Sequence, residues 1–435
     1  MPLRFQNWSG LHSSTPRRWV SPSSEAELAE QLSRASREGR RVRAVGSGHS
    51  WSDVALPDDI ALDLRKHTGV VSIDEQDPSI VVRAGTRLEE ITRALDARGL
   101  AMPVLGSIAK QTIAGAISTA THGSSLRHGN LASLVRSLRL VTPSGEVLQL
   151  DARDPRFDAA RVSLGALGVI TQVELGVTRA FRLMETREAV PFAQVVRDLE
   201  AIAASAEFVK LWWLPSTGKA VVFRYERTTE PERRSRLFEI VDEKIVNRGA
   251  FELMLRFVGR YPRATSSMNA LVAASYFGDG KRVARSDRAF NLAMPPVHRE
   301  AEWAFAMGDA PEALAELERF ISRAGIRVNF PCELRFVKAD SMWLSPAHGR
   351  DACHVGVYQA ESPDLAVYFR GASELARRRG ARPHWGKEFD WSADEIAAVY
   401  PRARDFAALR RELDPAGVLE NAFVARVLGR VSASA

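Results

Sequence analysis

Two short segments of this 435-residue chain carry residue types that can handle charge and protons together. The first is Pro331-Cys332-Glu333-Leu334-Arg335-Phe336-Val337, which reads as a strand. Side chains two apart in a strand share a face. Cys332, Leu334 and Phe336 therefore point into a core, and Glu333 and Arg335 project together from the opposite face. On a wet surface such a pair is an ordinary ion pair of little worth. The second segment is Arg382-Pro383-His384-Trp385-Gly386-Lys387. Arginine far outnumbers lysine in this chain. A lysine partly buried near cations can shed its proton, and an arginine cannot. Lys387 thus suits hydrogen bonding to, or deprotonation of, a substrate hydroxyl; the alternative is a surface lysine beside a packing tryptophan. His384 is a second candidate there. Tyr358 and Gln359, on a strand after Cys353, are candidates to complete the same pocket.

A second class of signal lies near the start. Val45-Gly46-Ser47-Gly48-His49-Ser50-Trp51-Ser52-Asp53 follows a predicted strand, and its glycines let backbone N–H groups cradle a pyrophosphate. A Rossmann turn needs a third glycine where Trp51 stands, so this is not one. A tight surface turn is the alternative. Leu105-Gly106-Ser107 and the run from Thr112 through Gly115, Ser118, Thr121, His122, Gly123 and Ser124 to Ser125 are poor in charge and rich in small residues. Such a run lets a bulky planar ligand lie against the backbone, or lets a helix pack closely on a sheet. The turn from Ser163 to Ile170, with Gly165 and Gly168, is the third of its kind. Three such turns in one domain favour a large cofactor.

On Val45 to Asp53, Thr121 to Ser124 and Ser163 to Ile170 the chain resembles the FAD-binding domain of the vanillyl-alcohol oxidase superfamily. Within it, the chain is most similar to the sugar-1,4-lactone oxidases and dehydrogenases, over essentially its whole length, with alditol oxidases a near branch. The resemblance implies an α+β fold: a two-subdomain FAD-binding domain of the PCMH type, residues 1–176, and an α+β substrate-binding cap, residues 177–435, whose final segment from about 405 returns to the first domain. It implies that the loop at 45–50 wraps the FAD pyrophosphate and that His49 carries the flavin covalently. A lone histidine after glycine is otherwise a turn or hydrogen-bonding residue. Thr112, Gly115, Ser118, Thr121, His122, Gly123, Ser124, Gly168, Ile170 and His384 fall on the cofactor side, His122 as a residue that orients its loop. By the same resemblance Arg335 stabilises negative charge on the reduced flavin and polarises a substrate oxygen. Glu333 accepts hydrogen bonds from sugar hydroxyls, and Ser107 contacts substrate. Gly106 leaves room for oxygen, which favours an oxidase over a dehydrogenase. Asn421, in Leu413-Asp414-Pro415-Ala416-Gly417-Val418-Leu419-Glu420-Asn421, either sits near the flavin or caps a turn. The implied activity is oxidation of an aldono-1,4-lactone of the L-gulono or D-arabinono type at C2, by hydride transfer from a CH–OH carbon to flavin N5. Oxygen is the expected acceptor, giving hydrogen peroxide; alternatives are another acceptor or an open-chain alditol as substrate.

These residues need elements to hold them. Ser24-Glu25-Ala26-Glu27 is a capping box; Leu28, Leu32 and Ala35 continue it at helical spacing, and Gly39 stops the helix. Strands are expected at 41–45, 60–64 and 80–84. Thr86 to Glu89 reads as a second capping box, opening a helix that Gly99 ends. Residues 135–150 read as a hairpin turning at Pro143-Ser144-Gly145. Beyond 176 charged helical stretches are expected at 189–204 and 310–324, strands fewer and more separated, and 266–280 irregular.

Composition bounds the rest. At 45% apolar and 26% charged residues the chain is neither disordered nor fibrous. No apolar run reaches bilayer length, so no membrane insertion is expected. The first residues lack the pattern of a secretory signal. Two cysteines, Cys332 and Cys353, build neither a disulfide framework nor a zinc site, which suits a cytoplasmic protein; no metal is expected. The net charge of +7 is scattered apart from short clusters such as Arg233-Arg234 and Arg377-Arg378-Arg379, which gives no support to nucleic-acid binding.

Overall fold

The computed structural model describes residues 3–232, 249, 251–291 and 296–431. The first part builds two main sheets, besides the short pairs Phe5–Gln6 with Ser13–Ser14 and Leu100–Ala101 with Thr178–Arg179. In one, Arg18–Val20 and Val42–Val45 run parallel to the central strand Ile60–Asp63. Helix Glu25–Arg37 buries Leu28, Leu32 and Ala35; Ser24 accepts from the Glu27 N–H, and Gly39 leaves the helix at φ +60°. The other sheet has five antiparallel strands, in the order Val147–Asp151, Val135–Val141, Val169–Gly176, Ser79–Arg83, Val70–Asp74. The expected hairpin is there, with Gly145 at φ +90° in its turn. The second expected cap shifts by one residue. Helix Leu88–Asp96 starts after Arg87, whose N–H donates to Glu90, while the Thr86 hydroxyl donates back to the Arg83 carbonyl.

The second part is organised by one eight-stranded sheet. Its order is Gly280–Arg285, Arg182–Pro191, Lys219–Thr228, Phe208–Leu214, Cys332–Val337, Ala352–Gln359, Arg299–Ala306, Arg382–Pro383. This corrects the expectation of few, separated strands. The strands hide because charged residues alternate with apolar ones on a face that is itself buried. Lys210, Glu185, Glu302 and Glu333 are all buried. The helix expected over 189–204 begins only at Phe192, since Arg182–Pro191 is strand. The 266–280 stretch is largely helix, Thr265–Tyr276; its buried Asn269 donates to the Val328 carbonyl, so no clean apolar stripe advertises it. The helix expected over 310–324 is Ala310–Arg323.

The apolar sheet face, with Leu211, Trp213, Trp303, Leu334, Phe336 and Val355, packs in one continuous core with helices Phe192–Ala204, Ala310–Arg323 and Leu365–Arg378. The polar face meets the first part of the chain. Ser124 and Ser125 seal that contact: Ser125 N donates to Phe336 O at 2.7 Å, Phe336 N donates to Ser124 Oγ at 3.0 Å, and Val209 N donates to Ser124 O at 3.2 Å. The chain then returns. Val42 N donates to Val418 O, and Arg43 donates to Leu419 O, before the closing helix Ala422–Leu428. Among the described basic clusters, Arg377, Arg378 and Arg379 are all ion-paired, with Asp390, Glu395, Glu316 and Glu312. Arg233-Arg234 lies outside the described residues. No helix among them is long and apolar enough to cross a membrane.

Candidate active site

Strand register decides what faces what. Glu333 stands opposite Trp212 on one side and Gly356 on the other, and Gly356 stands opposite Glu302. Arg335 stands opposite Lys210 and His354. Cross-strand partners share a face, so one polar face collects Lys210, Trp212, Glu333, Arg335, His354, Tyr358, Glu300 and Glu302.

Glu333 and Arg335 form a buried pair, not a solvated one. Arg335 Nε lies 2.9 Å from Glu333 Oε2, and Arg335 Nη2 donates to Oε1 at 2.9 Å. Trp212 Nε1 donates to Oε1 at 3.0 Å and the Tyr358 hydroxyl to Oε2 at 2.9 Å. Burial alone would raise the Glu333 carboxyl; Arg335 and then Lys210 override it and hold it at about 2. Both carboxylate oxygens are thus engaged by protein donors, so Glu333 fixes Arg335, Trp212 and Tyr358 in place. The same guanidinium also donates to Ser107 Oγ, on the loop beside Gly106. That contact joins the eight-stranded sheet to the Gly106–Ser107 loop.

Lys387 lies on the same face through Tyr358. Its ammonium pairs with Glu300 Oε1, sits 4.2 Å from the Trp51 ring centroid and 6.0 Å from that of Tyr358. Burial would raise Glu300, but Lys387 and His298 hold it below the usual carboxylate range. A third acid, Glu302, accepts from His122 Nε2 at 2.9 Å and His354 Nδ1 at 2.7 Å. Both nitrogens of His122 face acceptor oxygens, the second being Gly123 O at 2.9 Å, which fixes the ring and its loop. Burial pushes His354 down to about 4 and His384 well below its ordinary value. His384 Nδ1 accepts from Gly386 N–H. The ligand-type atoms of His122, Glu302 and His354 lie within 4.8 Å of one another, an arrangement that also suits a cation and that the spacing in sequence does not reveal.

The glycine loop fits a dinucleotide. The N–H groups of Ser47, Gly48, His49 and Ser50 meet no acceptor among the described residues, which leaves a row of donors for phosphate oxygens. Gly48 is at φ +69°. A Cβ on Gly46 would sit 2.6 Å from Thr112 Oγ1, so this loop runs tightly against the start of helix Ile113–Ser118. The His49 ring makes no hydrogen bond among the described residues; burial, then Arg87 and Lys110, lower its pKa. A neutral, unengaged ring nitrogen is what attachment to a flavin carbon requires. Gly106 is closely backed, a Cβ there standing 3.1 Å from Thr121 Cγ2, and Gly123 allows no Cβ at all, 2.5 Å from Val104 Cγ2. Thr112 caps its helix by accepting from Gly115 N, and Ser118 O accepts from Leu164 N.

Four expected residues have other work. Gly168 is explained by packing, since its Cβ would lie 2.4 Å from Leu140 Cδ1, and Ile170 is a buried strand residue. Asn421 is a cap: it accepts from Val424 N and donates to the carbonyls of Asp53 and Leu56 at 3.1 and 3.0 Å. Its polar atoms are engaged, so it holds the glycine loop's continuation rather than a ligand. Gln359 is fully buried on the far face, bonded to Asn329, Arg327 and Ser362, because it lies one residue out of phase with Tyr358. Conversely, Lys210, Trp212, Glu300, Glu302 and His354 were not read from the sequence. Glu300 and Glu302 carry a signal, charge on alternate residues of an otherwise apolar strand, whereas Lys210, Trp212 and His354 stand singly in theirs.

Residues 173–427 match the family described as D-arabinono-1,4-lactone oxidase, and residues 16–151 match the FAD binding domain. The chain is 34% identical to the L-gulono-1,4-lactone dehydrogenase of Mycobacterium tuberculosis (strain ATCC 25618 / H37Rv), across 98% of this chain and 99% of that protein. It is 30% identical to the L-gulonolactone oxidase of Scyliorhinus torazame, across 98% of each. A crystal structure of cholesterol oxidase from B. sterolicum shares the fold, with a TM-score of 0.82 at 16% identity over 98% of this chain and 96% of that one. The family match over residues 173–427 and the full-length relatives agree with the FAD binding domain ahead of them: the chain is a flavin oxidoreductase with FAD as its cofactor and belongs to the D-arabinono-1,4-lactone oxidase family.

Proposed function

We propose that the protein oxidises an aldono-1,4-lactone of the L-gulono or D-arabinono type at a secondary alcohol, with residues 1–176 holding FAD and 177–435 the sugar. The observation that carries this is the Arg335 guanidinium bonded at once to Ser107 and Glu333. Bound FAD supplies the acceptor for the hydride that leaves the carbinol carbon. Arg335 sets a fixed positive charge where negative charge develops and polarises a substrate oxygen. Glu333 keeps that guanidinium oriented, and Ser107 contacts the sugar. The Lys387 ammonium donates to the oxygen of the reacting hydroxyl and stabilises it as its proton leaves to water.

The unengaged ring of His49 supports covalent attachment of the flavin. The absence of a side chain at Gly106 supports oxygen as acceptor, with hydrogen peroxide as product. Cys332 and Cys353, both free and buried, support a cytoplasmic setting. The test is an anaerobic absorption spectrum before and after addition of L-gulono-1,4-lactone, D-arabinono-1,4-lactone, xylitol and sorbitol. Bleaching by a lactone upholds the reading. Bleaching by a polyol alone makes the enzyme an alditol oxidase, and bleaching by none removes the assignment.

A further inference from the structure

Lys210 has no part in the chemistry above, and its surroundings are unusual for a lysine. It is 6% exposed. Its ammonium lies 5.1 Å from the Trp212 ring centroid, 5.0 Å from Phe223 and 5.9 Å from Tyr225. These rings attract the cation, but they accept no ordinary hydrogen bond from it. No oxygen among the described residues lies within hydrogen-bonding distance of its Nζ, so its N–H groups face the aromatic rings with no acceptor there. Burying an ammonium without an acceptor is costly. The arrangement persists because Glu333 on the neighbouring strand and Glu185 across the sheet supply negative potential, against Arg335 and Arg282.

Position gives the open donors a meaning. Lys210 stands directly opposite Arg335 in strand register, and Trp212, two residues on, donates to Glu333. The ammonium therefore lies on the polar face beside the Glu333–Arg335 pair, on the side away from Lys387 and Glu300. We propose that Lys210 is a further substrate-binding residue, its ammonium donating to an oxygen of the sugar lactone on the flank of Arg335 opposite Lys387. This rests on the lactone reading above. Two cations flanking the acid–guanidinium pair would grip a polyoxygenated ring at both ends. Burial lowers the Lys210 ammonium to about 8, partly offset by Glu333. The charged groups that face it are Glu333, Glu185, Arg335 and Arg282, with the Tyr225 ring beside them. The donor is thus lost as pH rises through about 8, and the grip weakens above it.

The test uses the flavin-loaded full chain as wild type, Lys210→Met and Lys210→Arg, with L-gulono-1,4-lactone and D-arabinono-1,4-lactone as probes. KM and kcat are measured from pH 6.5 to 9.5, alongside flavin content and thermal midpoint. In Lys210→Met, KM should rise by roughly ten- to hundredfold, the worth of a charged hydrogen bond, with flavin content kept and kcat changed less. Wild-type KM should climb above pH 8. Lys210→Arg should recover much of the affinity and lose that climb, because arginine does not titrate there. Equal KM values and an unaltered pH profile in a flavin-loaded Lys210→Met overturn the assignment and leave Lys210 a packing residue. If Lys210→Met fails to fold, Lys210→Arg decides: a pH climb like that of the wild type overturns the proposal. A wild type that bleaches with neither lactone sinks the lactone reading and this inference with it.

Discussion

Ser107 and Arg335 are 228 residues apart in the chain, and the guanidinium of one donates to the hydroxyl of the other. Docking of the two parts of the molecule and placement of the positive charge are therefore one geometric fact. Arg335→Ala should slow anaerobic flavin reduction by lactone by roughly a hundred- to thousandfold, the scale for losing a preorganised charge donor. Arg335→Lys should recover only part of it, since an ammonium cannot reach Ser107 and both Glu333 oxygens as a planar fork does. Stopped-flow rates within a few-fold of wild type in either variant would remove the role assigned to the guanidinium.

For His49 the expected outcome is visible by eye. Acid-precipitated wild type should stay yellow in the pellet, and His49→Ala should release its flavin into the supernatant. Colourless wild-type pellets would show that the ring nitrogen is unengaged because nothing is attached to it.

Gly106 offers a test of oxygen access with a built-in complication. An alanine there meets Thr121 Cγ2 at 3.1 Å, so the loop must give slightly. Gly106→Ala should slow reoxidation by dissolved oxygen by about tenfold or more, roughly 1.4 kcal/mol of barrier, and leave reduction by lactone nearly unchanged. Pairing it with Thr121→Ser, which removes the crowding methyl, should not restore reoxidation. Recovery in the double variant would assign the effect to loop distortion.

The Glu333 carboxyl sits at about 2 in the folded protein, against an ordinary value of 4.5. The folded form binds that proton more weakly than the unfolded chain. The carboxylate's contribution is complete above about pH 4.5 and is lost as pH falls toward 2, on the order of 3 kcal/mol in all. Glu300 and Glu302 are lowered in the same sense. Unfolding midpoints should therefore fall steeply between pH 5 and 3, and Glu333→Gln should flatten that slope while being less stable at pH 7. An equally steep slope in Glu333→Gln would show that other carboxylates govern acid unfolding.

Local signals carried much of the first domain. The Ser24 cap, the Gly145 turn and the strands around residues 42, 60 and 80 rest on short-range rules, and the structure keeps them. Glu333 and Arg335 were legible as a pair because period-two alternation put Cys332, Leu334 and Phe336 on the other face. Lys210, Glu300 and Glu302 were not, since a charged residue on a strand reads as solvent-facing until the layer above it is known. Only the docking of the 121–125 loop on strands Phe208–Leu214 and Cys332–Val337 makes that face an interior. Asn421 was ambiguous for a related reason: its partners, Asp53 and Leu56, are far away in sequence.

The amide-lined loop near the start of the chain is held by its neighbours there, Trp8 N donating to Gly48 O and Asn7 Nδ2 to Ser50 O, while the segment that follows it is braced from the far end of the sequence. Trp51 N donates to Gly386 O, Ser52 donates to Trp385 O, and Asn421 grips the carbonyls of Asp53 and Leu56. During synthesis these braces emerge last. The nascent amino-terminal half leaves the ribosome with this loop braced on one side only, so shortening the tail by a couple of dozen residues, which removes Asn421, should lower the flavin content of the purified protein.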